Sequence, residues 1–196
     1  MEENFDALEV IARTRGKVEM DQVPTGENLF LLWGCLSSVF FLLQFVLWEW
    51  LHQEWCMWLW TGAVVIGWPW MIALLRKDHR RTHSRTHEAK VILDVWVFVG
   101  AACAISGFTF GMANVFECYA VPLISLLIGV GAFVTGEVNR YCPKVVGGLA
   151  GAFIGILSFT LQGELWTWQM LALALVAIVS LVIPGLLYKK SMKNGI

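Results

Sequence analysis

Residues 71–95 read MIALLRKDHRRTHSRTHEAKVILDV. An apolar run stops at Leu75, a stretch rich in Arg, Lys and His occupies 76–90, and a second apolar run starts at Val91. Two apolar runs joined by a strongly cationic connector match what a bilayer requires. The runs cross the hydrocarbon and the cations stay in water on one side. Working outward from this loop, the same alternation repeats along the whole chain.

Crossing about 30 Å of hydrocarbon takes about 20 apolar residues in a helix. Six stretches satisfy this: approximately Leu29–Trp48, Trp55–Leu75, Val91–Met112, Cys118–Gly136, Val145–Leu161 and Trp166–Tyr188. Backbone groups in lipid must be paired internally, so runs of this length are expected to be helical. The short alternating segments of a transmembrane barrel are not seen. Composition agrees. Of the 196 residues 58% are hydrophobic and 15% charged, with a mean hydropathy of +0.66, against about 45–50% apolar and 25% charged in soluble domains.

The connections sort by charge. Arg13, Arg15 and Lys17 precede the first span. Arg76, Lys77, Arg80, Arg81, Arg85 and Lys90 separate spans two and three, Arg140 and Lys144 separate four and five, and Lys189, Lys190 and Lys193 follow the sixth. These are all 14 basic residues of the chain. The connections at 49–54, 113–117 and 162–165 hold no Lys or Arg. The positive-inside rule makes the basic side cytoplasmic. The expected fold is therefore an all-α membrane protein whose six transmembrane helices form three hairpins, with both termini cytoplasmic. It divides into a cytoplasmic segment 1–27, a transmembrane domain 28–188 with its basic loop 76–90, and a basic tail 189–196.

Residues 1–27 carry acids from the start and lack the basic-then-apolar order of an export signal, so the first span is expected to act as its own insertion signal. Phe5, Leu8, Ile11 and Ala12 recur at helical spacing and predict a short amphipathic cytoplasmic helix, with Gly16, Pro24 and Gly26 interrupting the path to span one. Such a helix can lie on the inner leaflet, dock on the protein's own cytoplasmic face or meet a partner helix.

Trp48, Trp50, Trp55, Trp58, Trp60, Trp166 and Trp168 gather at the outer ends of the spans, where indole rings anchor at headgroup level. In span five Gly147, Gly151 and Gly155 are four apart and share a helix face. Small residues let helix backbones approach in lipid, so this is the expected packing face, within the chain or between subunits. Gly100 and Ala104 begin a weaker small face in span three. Pro69, Pro122 and Pro184 are expected to kink or end their helices.

The chemistry-bearing candidates are few. His79, His83 and His87, four apart, would share one face of a helix and could ligate a metal ion. Six surrounding cations oppose that, and the simpler reading is a solvated, topology-setting loop. Cys35, Cys56, Cys103, Cys118 and Cys142 show no CxxC spacing; Cys35, Cys56 and Cys103, in or at the ends of helices, read as buried thiols, with one outer disulfide between Cys56 and Cys118 as the alternative. The acids nearest the membrane interior are Asp94, one turn into span three, then Glu117 and Glu137 at helix ends. No nucleophile–base pair, HExxH or paired aspartates lies inside the spans, so neither a catalytic residue nor a cofactor is expected. The near-neutral charge balance points to no nucleic-acid partner.

Asn28-Leu-Phe-Leu-Leu-Trp-Gly34 after Ala7-Leu-Glu-Val-Ile-Ala-Arg-Thr-Arg15, then Ile66-Gly-Trp-Pro-Trp-Met71, a basic loop and Ile183-Pro-Gly185, resemble a group of small, uncharacterised multi-span inner-membrane proteins of Bacteroidetes bacteria. The resemblance runs over most of the chain. It implies a bacterial inner membrane and carries no catalytic or binding residue with it. The His-rich loop departs from that group's loop, which is mainly Lys, Arg and Glu. The expectation for function is a non-enzymatic membrane protein acting on a cytoplasmic protein partner or on lipid, with an oligomeric transporter or channel as the alternative. The bilayer, a cytoplasmic protein and a second copy of the chain are the partners this admits.

Overall fold

A computed structural model describes residues 28–52, 55, 59–79, 87–112 and 119–193. The N-terminal amphipathic segment, Cys56, Cys118, Glu117, His83 and Trp58 lie outside the described residues, as do the side chains of Trp60 and His79. Among the described residues every regular element is helical. They are α1 (Asn28–Glu49), α2 (Leu59–His79), α3 (His87–Met112), α4 (Val121–Val138), α5 (Cys142–Ser158), α6 (Thr167–Ala177) and α7 (Ile183–Lys193). A π-helical segment, Ile178–Val182, joins α6 to α7 without a break.

Among the described residues four helices are long and apolar enough to cross a membrane: Asn28–Glu49, His87–Phe110, Val121–Val138 and the continuous Thr167–Ser191. The Cys142–Ser158 helix is shorter, while α2 runs the 21 residues Leu59–His79. α5 falls short because it starts on a proline-led turn at Cys142 and stops at Ser158, where tight turns follow at Phe159, Thr160 and Leu161. Against the apolar run Val145–Leu161 read from the sequence, the helix begins and ends three residues earlier.

The prolines behave differently from one another. Pro122 opens α4 in its first turn, where the missing N–H would have no helical partner in any case. Pro69 lies inside α2, which continues past it. Pro184 is the second residue of α7, just after the π-helical segment. A proline ring collides with the carbonyl four residues back, and one wide turn makes room for it.

The closest packing joins α4 and α5. They are connected by Asn139–Tyr141, a turn in which Tyr141 N–H donates to Gly136 O at 2.9 Å and Arg140 N–H to Glu137 O at 3.1 Å. This paired bonding is a Schellman closure, and it puts Arg140 at a left-handed φ of 51° where glycine is usual. Further along, Gly155 lies against the α4 backbone so closely that a Cβ there would stand 2.6 Å from Leu126 N. Gly129, Gly136 and Gly148 make still closer approaches across the same pair. The α6–α7 span packs on both: a Cβ on Gly147 would meet Val179 O at 2.5 Å, and one on Gly151 would meet the Ser180 hydroxyl. The small face of span five therefore divides, with Gly147 and Gly151 toward the last span and Gly155 toward α4. α1 adds to the last span, with Gly34 against Leu181 and Val182 and Gly185 against Leu31. α2 flanks α1 through Gly67, which faces Trp33 and Leu36, while α3 flanks α4 where Gly131 meets Val99 and Trp96.

Burial is inverted relative to a soluble protein. Ser125, Thr135, Gln169 and Ser180 are fully buried, whereas Phe98, Ile105, Phe108 and Phe153 are 62–72% exposed. Only 6% of the apolar window of α3 is covered by the rest of the chain. Water would penalise so much outward hydrocarbon, and lipid would not.

Candidate functional site

The end of the bundle that carries Arg140 and Lys189 is built around Lys144. Sequence placed Lys144 in a solvated connection, but α5 begins at Cys142, so Lys144 falls in its first helical turn and is 1% exposed. Its Nζ stands 4.2 Å from the centroid of the Phe30 ring of α1. Phe30 in turn tilts against Trp96 of α3, with centroids 4.9 Å apart. Trp96 Nε1–H donates to Thr135 Oγ1 of α4 at 2.9 Å, and the Thr135 hydroxyl donates to Gly131 O at 2.7 Å. Four helices thus meet through one buried cation, two rings and one hydroxyl. A cation over an aromatic face is worth about 0.5–2 kcal/mol, more as water is excluded, and the buried indole N–H needs the acceptor that Thr135 supplies. Tyr141 and Tyr188 close the same end edge to face, 5.2 Å apart.

The opposite end has its own polar layer. Thr167 Oγ1 donates to Glu49 Oε2 at 2.8 Å, tying α6 to α1. Gln169, fully buried, donates from Nε2 to Leu161 O, and its Oε1 is buried without a hydrogen-bond partner. Gln44 of α1 and Ser158 of α5 are buried as well. Between the two ends the core is apolar, with Phe41, Val121, Met170, Leu173 and Ala174 in contact.

The tryptophans expected to form the outer belt separate into two groups. Trp50, Trp55 and Trp168 are 74%, 55% and 45% exposed. Trp48 and Trp166 instead pack edge to face at 5.0 Å, and Trp166 also lies against the apolar core. Trp33 and Trp96, toward the other end, are packing residues rather than surface anchors, since each is engaged by a neighbouring helix. Of the three candidate ligands His79, His83 and His87, His87 begins α3 and is exposed. Among the described residues no three His, Cys, Asp or Glu side chains come together as a metal site. Cys35, Cys103 and Cys142 are free thiols, but Cys35, expected to be buried, lies exposed on the outward side of α1, as does Cys142 at the start of α5, and Cys103 is half-buried.

Asp94 is exposed at one end of a groove of about 400 Å³ between α3 and α4, lined by Phe98, Leu127, Val130 and Val134 among others. Glu137 is exposed near the end of α4. Sequence reading found Asp94 but not the groove, because the groove forms only where α3 and α4 lie side by side. It missed the Lys144–Phe30–Trp96–Thr135 cluster altogether. The one signal available was a lysine directly after Cys142-Pro143, a helix-opening dipeptide that moves it from loop into helix.

Long apolar helices, outward hydrocarbon and a polar-lined interior point to a helical membrane protein. No protein-family model matches the chain, and neither the curated proteins nor the solved structures contain a match to it.

Proposed function

We propose that the chain is a six-span integral membrane protein of a bacterial inner membrane, with both termini cytoplasmic, that acts by non-enzymatic interaction at its cytoplasmic face. The observation that carries this reading is the confinement of all 14 basic residues to one side of the spans, with outer connections of a few residues each. The buried Lys144 cluster supports it by joining α1, α3, α4 and α5 at the end that carries Arg140 and Lys189. The placement in a bacterial inner membrane rests on the sequence resemblance alone.

Single cysteines introduced at Gly163 and Asn139 in a chain otherwise free of cysteine test the orientation. Gly163→Cys is expected to react with an impermeant maleimide on intact cells, and Asn139→Cys only after permeabilisation; the reverse pattern overturns the orientation. Crosslinking of the full chain in membranes tests the interaction. A specific cytoplasmic partner lost on replacing Arg80, Arg81 and Arg85 by Gln is the expected result.

A small oligomeric transporter or channel is the second reading. It is favoured by the layer in which Gln44, Ser125, Ser158 and Gln169, from four helices, are all buried. Flux of ions and small solutes through reconstituted liposomes would support it, and tight liposomes would remove it.

A further inference from the structure

Of the four long apolar helices α3 is the least covered, with 6% of its apolar window buried against 28–56% for the others. What it turns outward also differs. On the other helices the outward positions carry large side chains, such as Val39 and Leu43 on α1, Leu149 and Phe153 on α5 and Leu186 on α7. Among the described residues of α1 to α7 the exposed Gly and Ala are Ala73, Gly100, Ala101 and Ala104, and the last three lie in little more than one turn of α3. A small side chain offers lipid no advantage, but it lets a neighbouring helix backbone come close. The exposed Lys90, Asp94, Val97, Ala101, Ala104 and Phe108 follow one another in alternate steps of four and three, the spacing of a seam between two supercoiled helices. Gly100 borders that seam, and a Cβ on it would meet nothing within 4 Å. The opposite side of α3 packs inside the chain through Trp96 and Val99 against Gly131, and the span-five glycines are likewise occupied within the chain.

We propose that a second copy of the chain covers this face, the two α3 helices packing in parallel about a two-fold axis along the membrane normal. Copies inserted by the same signals share one orientation, so their α3 helices run parallel, and a two-fold contact presents the same face from both sides. In such a seam each side chain sits in a hole made by four residues of the facing helix. Asp94 then lies beside the partner's Lys90, and Lys90 beside the partner's Asp94. Two carboxylates and two ammonium groups make one neutral layer, which offsets the cost of an acid placed one turn into an apolar run. Ala101 and Ala104 bring the two backbones together at mid-span. The contact goes beyond the cytoplasmic-face reading, because it needs only that both copies share an orientation, whichever it is.

Oxidative crosslinking in membranes tests this on the full chain, freed of its own cysteines and carrying one introduced cysteine. Ala101→Cys is expected to give disulfide-linked dimers, and Leu149→Cys, on the outward face of α5, is not. Equal crosslinking at the two positions, or none at Ala101→Cys, overturns the proposal. Association is then read by Förster transfer between labelled copies in liposomes as the protein is diluted in lipid. Transfer no higher than random collision assigns the face to lipid and overturns the proposal. Ala101→Leu should weaken association about tenfold by holding the backbones apart. Asp94→Lys should weaken it as well, and the double exchange Lys90→Asp with Asp94→Lys should restore it, since the swapped layer is again neutral. Undiminished association in Ala101→Leu, or a double exchange no better than Asp94→Lys alone, also overturns it. The crosslinking needs only a small exchange at an exposed position, so a leucine variant that fails to fold leaves the test in place. Cysteine labelling that reverses the orientation leaves the dimer standing, and a monomeric chain leaves the cytoplasmic-face reading standing, so the two failures are distinguishable.

Discussion

Replacing Gly155 by alanine tests the backbone-to-backbone packing of α4 on α5. The added methyl would lie 2.6 Å from Leu126 N and 2.8 Å from Leu126 Cα, where ordinary contact begins at 3.4 Å. Both obstructing atoms are backbone in the middle of α4, so no rotamer can relieve the clash. α4 and α5 must separate locally by about 0.8 Å, and a gap of that size forfeits roughly a quarter to a half of each dispersion contact along the seam. Overpacking of this kind costs about 1–3 kcal/mol, or roughly a 5- to 150-fold shift in the unfolding equilibrium. Gly100→Ala is the matched control, because nothing lies within 4 Å of the methyl it would add. On α3 the exchange should be neutral or stabilising by up to about 1 kcal/mol through helix propensity. Unfolding of both variants in mixed micelles, followed by tryptophan fluorescence, reads the difference. Wild-type stability in Gly155→Ala, or an equal loss in Gly100→Ala, would refute backbone contact as what holds α4 to α5.

Three further outcomes follow from the basic end of the bundle. Thr135→Val keeps the shape but leaves Trp96 Nε1–H without its acceptor, and should cost about 1–3 kcal/mol in the same assay; Trp96→Phe in that background should recover part of the loss. Lys144→Met retains an apolar stem over Phe30 and should be less harmful than Lys144→Ala, with thermal midpoints of the two variants giving the order. Arg140→Gly relieves the left-handed backbone at the α4–α5 turn. Because glycine recovers about 1–2 kcal/mol of steric cost there and gives back about 0.5–1 in chain entropy, a slight gain in melting midpoint is expected. A loss would show that the Arg140 side chain contributes more than its backbone costs.

How much was legible beforehand can be judged element by element. Runs such as Leu29–Trp48 and Val91–Met112 announced helices because hydrocarbon length and backbone pairing leave no other solution in lipid, and the described helices overlap them with ends displaced by a few residues. The fifth span came out shorter, since Cys142–Ser158 is closed by the turns at Phe159, Thr160 and Leu161. Gly147, Gly151 and Gly155 stood out as small residues on one face, but spacing alone says nothing about which neighbour each one meets. That requires knowing that α4 lies on one side of α5 and the last span on the other.

What the amino-acid order determined by itself is the solvent. Long apolar segments with cations gathered into alternate connections are a one-dimensional property, because hydrophobic length and charge position are read along the chain. Tertiary structure alone decided where polar groups end up inside. Lys144 became a buried cation over Phe30, Trp96 a hydrogen-bonded packing residue and Asp94 the end of an apolar trough, because each of those environments is made of side chains from helices far apart in sequence. Contacts between helices depend on rotation and depth to within an ångström, and hydropathy along a single chain does not encode either.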